Sequence, residues 1–295
     1  MFRLMKVVSA GRTPTSTMAF VTPTLSSKTL ALYGKQEQTA ITYEVCLSPG
    51  CLADGAQSTL DQLMSLAPPG VDVKPGVCCS LCGNGPVVMD EVNGKKYRKV
   101  VSRTAKLMDL VDPLSLNEDD NDGSDENERI SSLQKAILEG YDMISEAEQA
   151  MAQNDFEQAS TLYEAAISKA LKPAKELQKA RDDSSNGNND DGSSISGLSF
   201  LVKAHQSQAM AYSKSGKGED AISAARAACD LSECTSLEAL EVLQGICESH
   251  KDGESELWAL RAYFDLPEPP KPTIQMATKR RSLGFRLTKL EREIG

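Results

Sequence analysis

The spacing of apolar positions changes character partway along the chain, and the change predicts two kinds of architecture. Ala40-Ile-Thr-Tyr-Glu-Val45 is short, β-branched and aromatic, which predicts a strand that delivers Cys46 at its end. From Gly55 to Leu66, the residues Leu60, Leu63, Met64 and Leu66 fall at helical spacing, and the run stops at Pro68-Pro69-Gly70. Val71-Asp-Val73 predicts a second strand. Pro86 to Val92 and Lys95 to Val101, joined by Asn93-Gly94, predict a hairpin, because Asn-Gly tolerates the positive φ of a type I′ turn. Ser102 is placed to cap a short helix through Leu110. Residues 38–113 therefore read as a small mixed α/β domain.

Beyond residue 130 the period is helical. Ile130 to Ala152 predicts one helix, and Asn154-Asp-Phe-Glu-Gln-Ala159-Ser-Thr-Leu-Tyr163-Glu-Ala-Ala166 a second packed on it. Small Ala159 and Ala166 allow close approach, and Phe156 and Tyr163 fill the gap. Ala209-x2-Tyr212-x3-Gly216-x4-Ala221-x6-Ala228 repeats the arrangement. A degenerate third copy runs from Leu237 through Ala259, Tyr263 and Leu266 to Pro267. This pattern, over residues 130–266, resembles the tetratricopeptide repeat; a plain helical bundle is the alternative. Ala159 and Ala221 lie 62 residues apart, about 28 more than one 34-residue period. The polar stretch 182–197 is expected to account for much of that excess as a loop insertion. The resemblance implies a concave groove for a peptide or partner helix. The chaperone-tail version of such a groove uses Lys and Asn at inner positions. This chain has Ile144, Glu148, Gln206 and Met210 there, so that ligand is not expected.

Charge divides the chain further. The net charge of −10 is the sum of +5 over residues 1–36, −19 over 37–277 and +4 over 278–295. An acidic body excludes a nucleic-acid-binding surface of any extent and permits a protein partner with a basic docking face. Residues 117–128 carry seven acids and no apolar residue with which to couple two cores, and they read as the heart of an acidic linker, 114–129. The expectation is accordingly of two domains that unfold separately, followed by a Pro-rich break and basic tail over 267–295. No apolar stretch reaches the roughly 20 residues of a membrane span. The acid-free, Ser/Thr-rich start has the composition of a transit peptide, and Ala19-Phe20 resembles a plastid cleavage region. A plastid address is expected, with a mitochondrial address or a disordered arm on a cytoplasmic protein as alternatives.

The chemistry concentrates in cysteine. Cys46-x4-Cys51 and Cys78-x3-Cys82, with Gly-Asn-Gly-Pro-Val-Val following, supply the four thiolates that a [2Fe–2S] cluster requires, two per iron. Zinc also takes four thiolates, though more often from Cys-x2-Cys knuckles. Cys79-Ser-Leu-Cys82 has dithiol spacing, but it leads into a strand, with no helix to lower a thiol pKa. These residues, with the strand, helix, strand and hairpin around them, resemble the thioredoxin-like [2Fe–2S] ferredoxins over roughly residues 40–112. The helical N-terminal extension of the related NADH dehydrogenase subunit is lacking. The resemblance implies that Cys46 and Cys51 hold one iron and Cys78 and Cys82 the other, with Cys79 an alternative to Cys78. Cys229, Cys234 and Cys247 lie among Ala and Leu and read as structural. His205 and His250 are the only histidines, both far from the four cysteines in sequence, so no Cys–His nucleophile is supported. No glycine-rich phosphate loop follows a strand.

The fold expected is α+β and multidomain: a thioredoxin-like ferredoxin domain, then an all-α domain resembling tetratricopeptide repeats. Two functions stand. One is a [2Fe–2S] electron carrier docked to a protein partner, such as a redox enzyme, by its helical groove. The other is an interaction scaffold whose ferredoxin-like domain carries zinc or no metal. No catalytic constellation is found, so a carrier or adaptor is expected ahead of an enzyme.

Overall fold

Four strands, among the described residues, build one sheet in the order β2-β1-β3-β4. The computed structural model describes residues 41–78, 80, 81, 83, 85–101, 105–112, 124–184, 197–267 and 272–294. The expected transit peptide, the Ser102 cap and most of the polar stretch 182–197 lie outside that set, as do residues 114–123 of the acidic linker. Strand β1 (Ile41–Cys46) leads into a short helix α1 (Pro49–Ala53), then α2 (Ala56–Leu66) and β2 (Val71–Gly76). Strands β1 and β2 are parallel, with Ile41 opposite Val71 and Cys46 opposite Gly76, so α1 and α2 form the crossover that a parallel pair needs. Pro75 is accommodated because β2 is an edge strand.

Strands β3 (Val87–Asp90) and β4 (Lys96–Arg98) form the expected antiparallel hairpin, but with a different turn. Of Asn93-Gly94 only Gly94 has positive φ, whereas a type I′ turn needs it at both central residues. The Asp90 carboxylate is the reason. It accepts from the Val92 and Asn93 amides at 3.0 Å each and from the Asn93 side chain at 2.8 Å, which opens the loop to Glu91–Gly94. The hairpin closes where the Asp90 amide donates to the Lys95 carbonyl at 2.8 Å. A third short helix, α3 (Ala105–Val111), completes the sheet region.

Seven further helices follow among the described residues. They are α4 (Ser124–Ala152), α5 (Phe156–Ser184), α6 (Ser199–Lys214), α7 (Gly218–Leu231), α8 (Leu237–His250), α9 (Gly253–Asp265) and α10 (Ile274–Ile294). The end of the acidic stretch is helix rather than linker: Asp125 and Glu126 sit in the first turn of α4, where the helix dipole favours acids. Three helical hairpins, α4/α5, α6/α7 and α8/α9, share one turn geometry. Asn154, Gly216 and Lys251 each adopt positive φ. The next residue's amide then closes back on the helix: Asp155 to the Ala150 carbonyl at 2.9 Å, Lys217 to Tyr212 at 2.9 Å, and Asp252 to Cys247 at 3.0 Å. Ala159 and Ala166, the positions that the sequence assigned to close approach, are buried between helices, as are Ala209, Ala221, Ala228 and Ala259. At the α4/α5 crossing a Cβ on Gly140 would stand 2.7 Å from the Ala170 Cβ, so nothing larger than glycine fits without a shift.

The excess over one period is not simply a loop. Helices α4 and α5 are 29 residues each, against 16 and 14 for α6 and α7. The added turns reach the sheet region. Gln134 donates to the Leu66 and Val111 carbonyls at 2.7 and 2.8 Å, Tyr141 pairs with the Ser65 hydroxyl at 3.1 Å, and Arg181 donates to the Met64 carbonyl. From α6, Lys203 meets Asp61 at 2.6 Å, and Phe200 stacks on Tyr141 with centroids 4.5 Å apart. One buried cluster runs from Tyr43 of β1 through Leu63 of α2 and Ile137 of α4 to Leu177 of α5 and Ala211 of α6. A second occupies α7 to α10 with contributions from α6. Buried residues on both sides of the expected acidic linker thus belong to one cluster. The division of the core falls inside the helical region, because α2 is sandwiched between sheet and helices.

Candidate functional site

The C-terminal end of β1 places the first two candidate ligands. The register sets Cys46 opposite Gly76, and the Leu47 amide donates to the Gly76 carbonyl at 3.3 Å, so β1 and β2 end level. Ser48 then stands at the N-cap of α1 with Pro49 in the first turn, a favourable helix start. The Ser48 hydroxyl makes no capping bond; it accepts from the Cys46 thiol at 3.3 Å instead. The single turn of α1 carries Cys51 back beneath it. Cys51 is fully buried and Cys46 is 2% exposed, and the two thiols are near enough to influence one another. Burial pushes the Cys51 thiol up, and the adjacent Cys46 adds to the rise.

The loop between β2 and β3 closes over this pair. Cys51 Sγ donates to the Gly85 carbonyl at 3.6 Å. Gly85 has φ +75°, and a Cβ there would lie 3.3 Å from the Lys99 backbone, so glycine is what lets the loop approach the hairpin. Cys78 is on this loop, two residues past Gly76, and is exposed. Cys79 and Cys82 lie outside the described residues. The structure therefore brings Cys46 and Cys51 into contact and puts Cys78 on the segment leaving the neighbouring strand at the same sheet end. Among the described residues these do not form a group of three metal-ready side chains.

The donor set suits a soft metal on the inner side. Two thiols within contact distance, unbridged and buried, match the two-thiolate share of one iron. Burial favours the protonated form of the Cys51 sulfur, so loading a metal there must expel a proton. Sequence reasoning missed Ser48 and Gly85. The first was legible as a Ser-Pro helix start, although not as a partner of sulfur.

The other cysteines behave differently. Cys229 and Cys247 are buried between α7 and α8 and are pushed up to about 12, by loss of water first and by neighbouring thiols and acids second. Each therefore holds its proton in the folded state when the unfolded thiol, ionising near 9, has lost it. The folded form binds more protons in that window, so stability is full below about pH 9 and falls as pH rises toward about 12. Urea midpoints read by Trp258 fluorescence should decline across this range, and the decline should be shallower in Cys229→Ala and Cys247→Ala. Identical slopes would contradict the assignment. Of the histidines, His250 pairs with the Ser213 hydroxyl at 3.1 Å, and burial holds His205 below its ordinary value. No protein-family model matches the chain, and a search of curated proteins returns no significant match.

Proposed function

We propose that this chain is an electron-transfer protein that holds a [2Fe–2S] cluster at the cysteine end of its sheet and docks a protein partner through its helical hairpins. The observation that carries the reading is the buried contact between Cys46 and Cys51 where β1 ends. The order of elements supports it: strand, cysteine pair, helix, strand, cysteine loop and hairpin follow one another as in the thioredoxin-like ferredoxins that the sequence resembles. Cys46 and Cys51 take one iron, Cys78 and Cys82 the other, and Cys79 is the alternative to Cys78. When bound, such a cluster accepts and releases a single electron. The chain's own residues shield the inner pair from water, hold Ser48 and the Gly85 carbonyl against the sulfurs, and leave the Cys78 side open to a partner.

The three hairpins with their common turn support a groove resembling tetratricopeptide repeats, and the acidic interior suits a redox partner with a basic docking face. No helix of the described residues is long and apolar enough to cross a membrane. The basic N-terminal segment supports a plastid address, tested by a fluorescent fusion of residues 1–40. A cytosolic signal would remove that part of the proposal.

The competing reading is a scaffold whose sheet carries zinc or no metal. It draws on the continuous core, which makes the sheet a structural partner of α4 to α6. Anaerobic reconstitution separates the two. The electron-carrier reading expects iron and labile sulfide in equal amounts, visible absorption and an EPR signal on reduction, all lost in Cys46→Ser and in Cys51→Ser. Replacing Cys79 should be tolerated and replacing Cys78 should not; the reverse assigns the ligand to Cys79. Zinc without sulfide, or no metal at all, overturns the carrier and leaves the scaffold.

A further inference from the structure

Helix α10 divides its cations between two faces. Toward the last hairpin, Lys279 reaches Glu241 at 2.6 Å, and Arg286 grips both oxygens of Glu256 at 2.7 and 2.6 Å. Arg280 lies over the rings of Phe264 and Tyr263 at 4.9 and 5.7 Å, and Leu283 and Leu290 are buried on the same side. The opposite face is organised differently. At helical spacing, Ile274, Arg281, Phe285 and Arg292 fall in one stripe with Lys289 at its margin, and all five are exposed. Ile274 keeps 87% and Phe285 73% of its surface in solvent. No acid lies in the stripe: Glu291 turns to Arg261 at 3.5 Å, and Glu293 stands 3.7 Å from Lys289. The latter pair is exposed, so it yields readily to a competing carboxylate.

We propose that this outer face of α10 docks an acidic amphipathic helix of a partner protein, with Phe285 as the apolar anchor and Arg281, Lys289 and Arg292 pairing with its carboxylates. Charge complementarity selects the occupant. Residues 278–295 carry +4 in a chain of net −10, so the remainder is −14. A dense polyanion, whether nucleic acid or an anionic bilayer, is repelled by that remainder over about 8 Å at physiological salt. A single helix meets only the stripe, which runs about 16 Å from Arg281 to Arg292, three turns of matching length. Helix α10 packs on α9 at one end of the described stack, and an exposed aromatic within a rim of arginine is the composition of an interface hot spot. The described stack thus presents at this end a face on which one more helix can be laid.

The test uses the full chain and a labelled helical peptide of about 18 residues, about 27 Å long, with leucines along one face flanked by glutamates. A twin with lysine for every glutamate is the control, and binding is read by fluorescence anisotropy. The glutamate peptide should bind, more weakly as salt rises, and the lysine twin should bind at least about tenfold less well. Phe285→Ala and the double variant Arg281→Glu/Arg292→Glu should each weaken binding about tenfold or more, with the Trp258 unfolding curve unchanged. Five results overturn the proposal: no binding at millimolar peptide, equal binding of the twin, variants that bind as the parent does, tighter binding of phosphatidylserine vesicles or single-stranded RNA by the same residues, or a homodimer abolished by Phe285→Ala.

Discussion

Replacing Arg286 by Leu is expected to lower the stability of the C-terminal helices by about 3 kcal/mol, the lower end of the range for stripping one partner from a buried ion pair. Glu256 is the reason. Its side chain is 1% exposed, sits on the inner face of α9, and accepts from Arg286 at 2.7 and 2.6 Å and from Gln244 at 3.1 Å. Without the guanidinium the carboxylate keeps the neutral Gln244 donor. Arg286 itself is partly exposed at 29%, so its own desolvation is incomplete, and the pair favours folding more than a fully buried one does. Trp258, the only tryptophan, lies on α9 beneath Arg226 at 5.0 Å and reports this region directly. Urea unfolding followed at Trp258 should show the loss in Arg286→Leu. The double variant Arg286→Leu/Glu256→Leu should recover most of it, because the uncompensated charge is gone. A change below about 1 kcal/mol in the single variant would mean that the carboxylate finds other partners and that the Arg286–Glu256 pair contributes little to stability.

The elements that were legible in the sequence are those whose apolar spacing is set by one neighbour. Strand β1 and helix α2 appear within a residue of expectation because Ile41, Tyr43 and Val45, and then Leu60 and Leu63, face one core at strand and helix periods. Helix α1 was missed because five residues are too few to show a period. The hairpin turn was misread because Asp90 captures two amides that a tight turn would leave to the strands. The burial of the polar residues of α2 was not legible: Asp61, Gln62 and Ser65 are all buried. Asp61 answers Lys203, and Ser65 answers Tyr141, residues 142 and 76 positions away that no local pattern connects to them. The place of Cys46 at the end of β1 was legible, since Ala40 to Val45 reads as a strand. The sulfur contacts of Ser48 and Gly85 were not, because they depend on where the β2–β3 loop crosses the crossover helix.

Residues 38–113 expressed alone are expected not to fold cooperatively and not to hold a cluster, contrary to the independence that the acidic linker implied. Helix α2 is buried along nearly its whole length, from Thr59 to Leu66, which requires cover on both sides. The sheet covers one. Helices α4, α5 and α6 cover the other, and they also supply Gln134 to the Leu66 and Val111 carbonyls. Removing them returns apolar side chains such as Met64 and Leu110 to water, at about 1.5–3 kcal/mol for each fully buried one, and leaves backbone acceptors without partners. A domain of some seventy residues has little margin against such a loss, since net stabilities are only about 5–15 kcal/mol even for larger ones. The Cys46–Cys51 pair depends on α2 to return the chain to β2, so the thiol geometry goes with it. Circular dichroism melts should therefore show no cooperative transition for 38–113, and one for 38–214, which restores α4 to α6. Reconstituted iron and sulfide should follow the same division: absent from the short fragment and present in the longer one. A sharp melt of 38–113 with a bound cluster would restore two independent domains and reduce the shared core to a contact between them.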